Sequence, residues 1–130
     1  IGRRTSDKVR IVTHLTDHPL VVNMSAPLFE WVVENLMKNA VDAMNGEGTL
    51  TLDVLPAGSR VIVDVTDTGK GIAKSKWKTI FSPGFTTKKR GWGLGLSLAK
   101  RIIEEYHKGR IYVRHSELGK GTTFRIELPR

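Results

Sequence analysis

Apolar positions in the first part of the chain change from strand-like runs to a helical period. Short apolar runs at residues 9–12 and 20–22 predict two small strands with a proline break between them. Apolar side chains then recur every three or four positions from residue 29, after a Ser25 suited to capping a helix and a Pro27 suited to its first turn. The pattern stops at Asn45-Gly46, so we predict a helix of about five turns.

Two hairpins and a second helix are predicted in the remainder of the chain. Residues 49–55 and 61–66 alternate between apolar and polar around a turn at 56–59. Residues 110–114 and 122–128 alternate in the same way around Gly119-Lys120-Gly121. Between the hairpins, apolar positions at 96–106 outline an amphipathic helix that begins within residues 93–95. This order predicts an α/β sandwich, with one sheet against a helical layer.

Composition narrows the class of protein. A chain of 130 residues with 39% apolar and 26% charged residues fits one globular domain, which we take to span residues 1–130. It contains no cysteine, which suits a reducing compartment, and no apolar run near the roughly 20 residues of a membrane-spanning helix, so we expect a cytoplasmic domain. Because it begins with Ile1 and a polar stretch, we expect a piece of a longer protein, whose parent can still be anchored in a membrane.

Positive charge is concentrated in one part of the sequence. The formal charge is +8, and residues 70–90 contain seven Lys or Arg residues with no Asp or Glu among them. Such an excess favours a polyanion, which includes nucleic acid and nucleotide phosphates. A solvated surface explains Lys74, Lys76 and Lys78 equally well, whereas for residues 88–90 we favour contact with phosphate.

Three polar residues share one face of the first predicted helix. Asn35, Asn39 and Asp42 are spaced i, i+4, i+7, which confines them to about 40–60° of arc. Asparagine is a poor interior helix former, so two of them at this spacing favour binding over an ordinary exposed face. Carboxamide oxygens suit Mg²⁺, which takes its remaining ligands from water and nucleotide phosphates. Asn39 is therefore our first candidate for a magnesium ligand.

A carboxylate and two glycines follow the strand that ends near residue 66. Asp67 can accept a hydrogen bond from an exocyclic amine such as adenine N6, and Gly69 and Gly71 allow close approach of the backbone to a ring. The same Asp-Thr-Gly sequence is also a common turn after a strand. The asparagine pair upstream makes nucleotide binding the favoured interpretation.

With these motifs in order, the chain resembles the ATP-binding catalytic domain of a sensor histidine kinase, in the GHKL superfamily shared with DNA gyrase, Hsp90 and MutL. Residues 34–43 resemble the family's N box, 67–71 its G1 box, 80–88 its F box and 91–96 its G2 box, and Gly121-Thr122 is similar to its closing glycine motif. The resemblance covers nearly the whole chain. It implies a Bergerat-type fold, a two-layer α/β sandwich with a mixed, mostly antiparallel sheet packed on about three helices.

The resemblance also implies roles for individual residues. Asn39 would bind Mg²⁺ and Asp67 would read adenine, while Asn35 and Asp42 would line the phosphate and ribose side. Residues 88–95 would form a mobile ATP lid in which Lys88 and Arg90 meet phosphate oxygens. The full predicted ATP-binding set is Asn35, Asn39, Asp42, Asp67, Gly69, Gly71, Ile72, Phe85, Thr87, Lys88, Arg90, Gly91, Gly93, Leu94, Gly95, Leu96 and Thr122. For Phe85, as for Phe81, a place in the core is an equally good interpretation.

The predicted catalytic residues are Asn35 and Glu34. In gyrase and MutL a glutamate that activates water lies four residues before the metal-binding asparagine, and in this chain that position is Asn35, so hydrolysis by this domain alone should be poor. Glu34 lies about 100° away around the helix, where proton handling, partner contact and simple solvation all remain open.

The resemblance implies partners that this sequence does not contain. The phosphoryl group would go to a histidine on an upstream dimerisation domain and then to a response regulator, and the parent would be a homodimer. None of His14, His18, His107 and His115 resembles the family's phosphoacceptor motif, so we take all four as structural.

Three alternatives remain open at this point. Within the superfamily, the chain could be a protein serine kinase of the anti-sigma type or an ATP-driven clamp, although Asn35 argues against the clamp. A basic nucleic-acid-binding module without catalysis is disfavoured, because the nine aromatic residues do not interleave with cations on an obvious strand face.

Overall fold

The computed structural model describes residues 8–15, 24–83 and 95–130. The regular elements are β1 (Val9–His14), α1 (Ala26–Ala43), β2 (Gly48–Ala57), β3 (Arg60–Asp67), α2 (Gly95–Arg101), β4 (Arg110–Glu117) and β5 (Gly121–Pro129). Short 3₁₀ turns cover Lys74–Lys76 and Thr79–Phe81, and a π-helical segment, Ile102–Tyr106, continues α2.

The five strands form one mixed sheet in the order β1-β2-β3-β5-β4. Only the β1–β2 pair is parallel among the described strands, and the other three pairs are antiparallel. The helices pack on one face of the sheet, which we call the inner face. A mixed, mostly antiparallel sheet under a helical layer confirms the predicted two-layer α/β sandwich.

The core lies between the inner face and the helices. Val32, Leu36 and Ala40, at helical spacing on α1, are buried against inner-face residues such as Leu50 and Val65. Full burial of a side chain the size of Leu36 contributes about 1.5–3 kcal/mol. Further along the chain, Phe81 is buried and meets Phe124 edge to face, with ring centroids 6.0 Å apart. Phe81 is therefore a core residue.

The start of α1 differs from the expected cap. Ser25 occupies the N-cap position with an extended backbone, but its hydroxyl makes no capping hydrogen bond to the described first turn. Pro27 follows two positions later and has no N–H, so one of the two donors that such a cap serves is missing. The backbone N–H of Ser25 instead donates to Nε2 of His107, at 3.0 Å.

Other predicted elements are confirmed with shifted ends. The first hairpin turns at Gly58-Ser59 rather than over residues 56–59, because β2 continues through Pro56 to Ala57. In the described part of the chain, β1 ends opposite Asp53, so Pro56 has no strand on its other side that needs its missing N–H. The second helix becomes π-helical from Ile102. The strand expected at residues 20–22 lies outside the described residues.

Across the described segments, no helix combines the length and the hydropathy that a membrane crossing needs.

Candidate functional site

Asp67 ends β3 on the inner face and is buried, with 4% of its surface exposed. The backbone N–H of Gly69 donates to its Oδ1 at 2.8 Å, and the backbone N–H of Thr122 also bonds to the carboxylate. Burial raises the pKa of Asp67, and these two hydrogen bonds oppose that rise. A carboxylate offers about four acceptor sites, so two backbone donors leave room for a ligand donor.

The glycine loop, residues 67–72, is held between α1 and the β4–β5 turn. The N–H of Lys70 donates to the carbonyl of Ala43 at 3.0 Å, and a Cβ on Gly69 would lie 2.6 Å from that same oxygen. Gly71 has a φ of +79°, and a Cβ there would lie 2.3 Å from the carbonyl oxygen of Glu117. The space that these glycines leave is therefore taken by protein backbone, whose close approach excludes any larger residue.

The polar stripe on α1, formed by Asn35, Asn39 and Asp42, runs from the interior to solvent. Asn35 and Asn39 are partly buried, whereas Asp42 is exposed. Nδ2 of Asn35 is buried and has no hydrogen-bond partner in the described part of the chain. Gly95, the first residue of α2, lies directly against it, since a Cβ there would be 2.7 Å from that nitrogen. The stripe thus ends under the start of α2, and Glu34 beside it is exposed.

Ile72 and Thr122 are joined by a residue that sequence reasoning did not single out. The hydroxyl of Ser116 accepts a hydrogen bond from the N–H of Ile72 at 2.7 Å and lies 2.7 Å from Oγ1 of Thr122. Thr122 is 4% exposed and lies opposite Asp67 in the register of β3 and β5. The structure therefore places Asp67, Ile72, Ser116 and Thr122 at one end of the sheet.

The structure does not place the remaining residues of the predicted ATP-binding set in this group of side chains. Leu96 packs against the core from α2. Seven predicted residues lie outside the described residues, namely Phe85, Thr87, Lys88, Arg90, Gly91, Gly93 and Leu94.

The basic residues at 74, 76 and 78 are exposed, and the ammonium of Lys74 lies 5.9 Å from the centroid of the Trp77 ring. The indole N–H of Trp77 donates to the carbonyl of Ile72 at 2.9 Å. This arrangement is typical of a solvated surface over an anchored aromatic ring.

A magnesium ion would find few protein ligands here. Within residues 8–15, 24–83 and 95–130, no three His, Cys, Asp or Glu side chains lie close enough together to hold a metal. Mg²⁺ commonly keeps several waters and binds through one or two protein oxygens together with substrate phosphates. The single amide oxygen of Asn39 fits a magnesium site of this kind, in which water and phosphates supply most of the ligands.

His107 and His14 have structural contacts, whereas His18 lies outside the described residues. Nε2 of His107 accepts the Ser25 N–H, and Nδ1 donates to the carbonyl of Ile102 at 2.9 Å. His14 is 2.6 Å from Asp53 on the outer face of the sheet, away from the helices.

Residues 25–130 match the family described as histidine kinase-, DNA gyrase B-, and HSP90-like ATPase. The chain is 48% identical over 99 residues to the sensor histidine kinase ZraS of Salmonella typhi, an overlap of 75% of this chain and 21% of ZraS. The chain therefore spans about a fifth of the length of that curated relative.

Solved structures agree with the family match. The catalytic domain of histidine kinase ThkA has a TM-score of 0.83 and 31% identity, covering 93% of this chain and 78% of that chain. ThkA in complex with the response regulator protein TrrA has a TM-score of 0.79 and 31% identity, covering 93% of this chain and 34% of that one. The chain therefore belongs to the histidine kinase-, DNA gyrase B- and HSP90-like ATPase family, an ATP-using family, as a catalytic domain of the sensor histidine kinase type.

Proposed function

We propose that this chain binds Mg-ATP and transfers the γ-phosphoryl group to a histidine on an upstream dimerisation domain of the same protein, in two-component signal transduction. The main support for the proposal is the environment of the Asp67 carboxylate. Its carboxylate is buried at the end of β3, receives two backbone N–H groups and forms no ion pair with a Lys or Arg of the described residues. Burying a charged carboxylate without a cation costs free energy. A ligand amine that donates a hydrogen bond to the carboxylate would offset part of that cost.

In this proposal, Asp67 and Thr122 recognise the base. Asp67 accepts a hydrogen bond from the adenine N6 amine, and Thr122 lies directly opposite it on β5. Gly69, Gly71 and Ile72 hold the glycine loop in place beside them through backbone contacts.

In this proposal, the polar stripe on α1 and the segment that leads into α2 bind the phosphates. The buried Nδ2 of Asn35 lacks a partner among the described residues and would donate to a phosphate oxygen. Asn39 would offer its amide oxygen to Mg²⁺, which supplies charge neutralisation on the phosphates when it is bound. Lys88 and Arg90, outside the described residues, supply cations in this proposal.

Phosphoryl transfer requires mainly alignment and charge neutralisation. The P–O bond to ADP breaks as a P–N bond forms to the acceptor imidazole, and the proton of the ring leaves to solvent. Water is a poor competitor, because Asn35 is an amide and cannot serve as a general base. Glu34 is exposed, so in this proposal it contacts a partner or assists proton transfer at the acceptor rather than activating water.

Partners and location follow from the same proposal. The parent is a homodimer, a response regulator aspartate receives the phosphoryl group next, and the domain uses the ATP of the cytoplasm whether or not the parent is anchored in a membrane. The ThkA–TrrA complex supports a response regulator as partner, because ThkA is a 31% identical relative. The chain is matched to about a fifth of ZraS, which leaves ample length for an acceptor domain in a parent of that kind.

The experiment is incubation of the longer protein, extended upstream through its helical region, with γ-labelled Mg-ATP. Label on the protein that is lost in acid and stable in base is expected, because phosphohistidine has that stability. Label that survives acid would point to a serine kinase. No label despite intact ATP binding would refute the transfer step and favour a clamp or a nucleotide sensor.

A further inference from the structure

Ser116 lies at the centre of a hydrogen-bonded group beneath the proposed base site. Its Oγ is 2.7 Å from the N–H of Ile72, 2.7 Å from Oγ1 of Thr122 and 3.0 Å from the carbonyl oxygen of Gly121. The three partners belong to the glycine loop and to the first two residues of β5. All three distances are within the range of good hydrogen bonds.

A β-bulge directs Ser116 toward this group. The β4–β5 register shifts between Val113 and His115, so that Ser116 pairs with Thr122. Paired residues lie on the same face of a sheet, so the two hydroxyls meet on the inner face. Without the shift, simple alternation from Val113 would place Ser116 on the outer face.

The three contacts allow only one arrangement of hydrogens. A serine hydroxyl has one hydrogen and two lone pairs. The amide of Ile72 can only donate and the carbonyl of Gly121 can only accept, so Ser116 accepts from the first and donates its hydrogen to the second. The contact with Thr122 must then be a hydrogen bond from the Thr122 hydroxyl to the remaining lone pair of Ser116.

This arrangement fixes what Thr122 offers to a ligand. Its hydrogen is directed to Ser116, so only lone pairs of Oγ1 remain for the pocket. Asp67, opposite in register, likewise offers carboxylate oxygens. The two side chains therefore present acceptors alone, which match an amine with two hydrogens and repel a carbonyl oxygen.

We infer that Ser116 is a positioning residue for base selectivity: by orienting the Thr122 hydroxyl, it makes the site favour a 6-amino purine over a 6-oxo purine. The inference rests on the proposed binding of ATP and adds to it the origin of the choice of base. Removal of the Ser116 hydroxyl frees the Thr122 hydroxyl to rotate and donate to a 6-oxo group.

The experiment compares the affinities of the 130-residue chain for ATP and for ITP, by calorimetry, in the wild type and in Ser116→Ala. The wild type is expected to prefer ATP, and Ser116→Ala should reduce that preference about three- to tenfold, the effect of one neutral hydrogen bond. Most of the change should be tighter ITP binding, which a merely structural role would not produce. Ser116→Thr retains the hydroxyl and should retain most of the preference.

Thr122→Val tests the same inference if Ser116→Ala does not fold. It removes the acceptor itself, so the preference for ATP should again fall, and adding Ser116→Ala should change it no further. A folded Ser116→Ala or Thr122→Val with the wild-type preference would overturn the inference while leaving ATP binding intact. A wild type that binds neither nucleotide would refute the proposed function and this inference with it.

Discussion

Replacing Asp67 with asparagine removes the charge from the proposed base site and keeps its size. The wild-type carboxylate would accept a charge-assisted hydrogen bond from the adenine amine, worth about 1.5–3 kcal/mol. We therefore expect ADP and ATP to bind roughly 10- to 150-fold more weakly to Asp67→Asn. Calorimetric titration of the 130-residue chain with ADP measures this directly.

Asp64→Asn is the matched control, because the same strand supplies both carboxylates. Asp64 lies three residues before Asp67 and faces the opposite side of the sheet, where its two oxygens each lie 2.8 Å from a nitrogen of Arg125. This pair holds the pKa of Arg125 above its usual range. Asp64→Asn should lower the free energy of unfolding by about 1–3 kcal/mol and leave ADP affinity unchanged. Equal ADP affinity in the wild type and Asp67→Asn would refute the adenine assignment.

The pH dependence of stability gives a second readout of Asp67 without any ligand. Because burial raises its pKa in the folded state, the folded protein holds this proton more tightly than the unfolded chain. The stability due to the carboxyl group is fully present below about pH 3.9 and is lost as pH rises through the folded-state pKa. The stability of the wild type relative to Asp67→Asn should therefore fall as pH rises across this window. Urea unfolding of both proteins between pH 3 and 8 tests it, and a difference that rises with pH would contradict the raised pKa.

Three further predictions concern the loop, the metal and the structural histidine. Gly71→Ala should destabilise the chain by at least about 2 kcal/mol more than Gly58→Ala. Both glycines have a positive φ, but only at Gly71 would a Cβ lie 2.3 Å from a backbone oxygen. Equal urea midpoints for the two variants would show that the backbone around Gly71 can move to accept a side chain. Asn39→Asp should disturb Mg²⁺-dependent phosphoryl transfer more than nucleotide binding, and transfer at the wild-type rate in the longer protein would remove Asn39 as the metal ligand. His107→Ala should lower stability by about 1–3 kcal/mol, because it leaves the Ser25 N–H without its acceptor; ADP affinity should not change, and a large change would mean that this end of α1 is coupled to the site.

Periodicity predicted most of the fold, because each element pairs a clear apolar pattern with a physical end signal. The period of α1 gave its length closely, and Asn45, with a φ of +54°, is the left-handed residue expected just beyond a helix end. The π-helical segment Ile102–Tyr106 was not predicted, because the apolar spacing fits an ordinary helix equally well. The side chain of His107, directly after the segment, bonds to the carbonyl of Ile102 and to the distant Ser25, a tertiary contact that the apolar spacing does not reveal.

The candidate site was only partly accessible to sequence reasoning. Asp67 was predicted as a site residue because a carboxylate at the end of an apolar strand before glycines is a local pattern, and the structure buries it at the end of β3. Ser116 was missed because the predicted strand ended at residue 114, and because its place on the inner face depends on a bulge that simple alternation does not predict. The roles proposed for the glycines concerned a ligand, whereas the structure reveals contacts between segments far apart in sequence. Such contacts leave no periodic signal.

The site lies at this end of the sheet because β3 and β5 are antiparallel neighbours, so the end of one strand meets the start of the other. Asp67 is therefore opposite Thr122, and the glycine loop must pass between the β4–β5 turn and the end of α1. It does so through backbone contacts, among them the bond from the Gly119 N–H to the carbonyl of Lys70 at 2.8 Å. In the proposed base site, hydrogen bonds within the protein already fix the acceptors of Asp67 and Thr122, so a bound base would not have to order them. Substitutions that separate these backbones should therefore weaken nucleotide binding even where they remove no group that contacts the nucleotide.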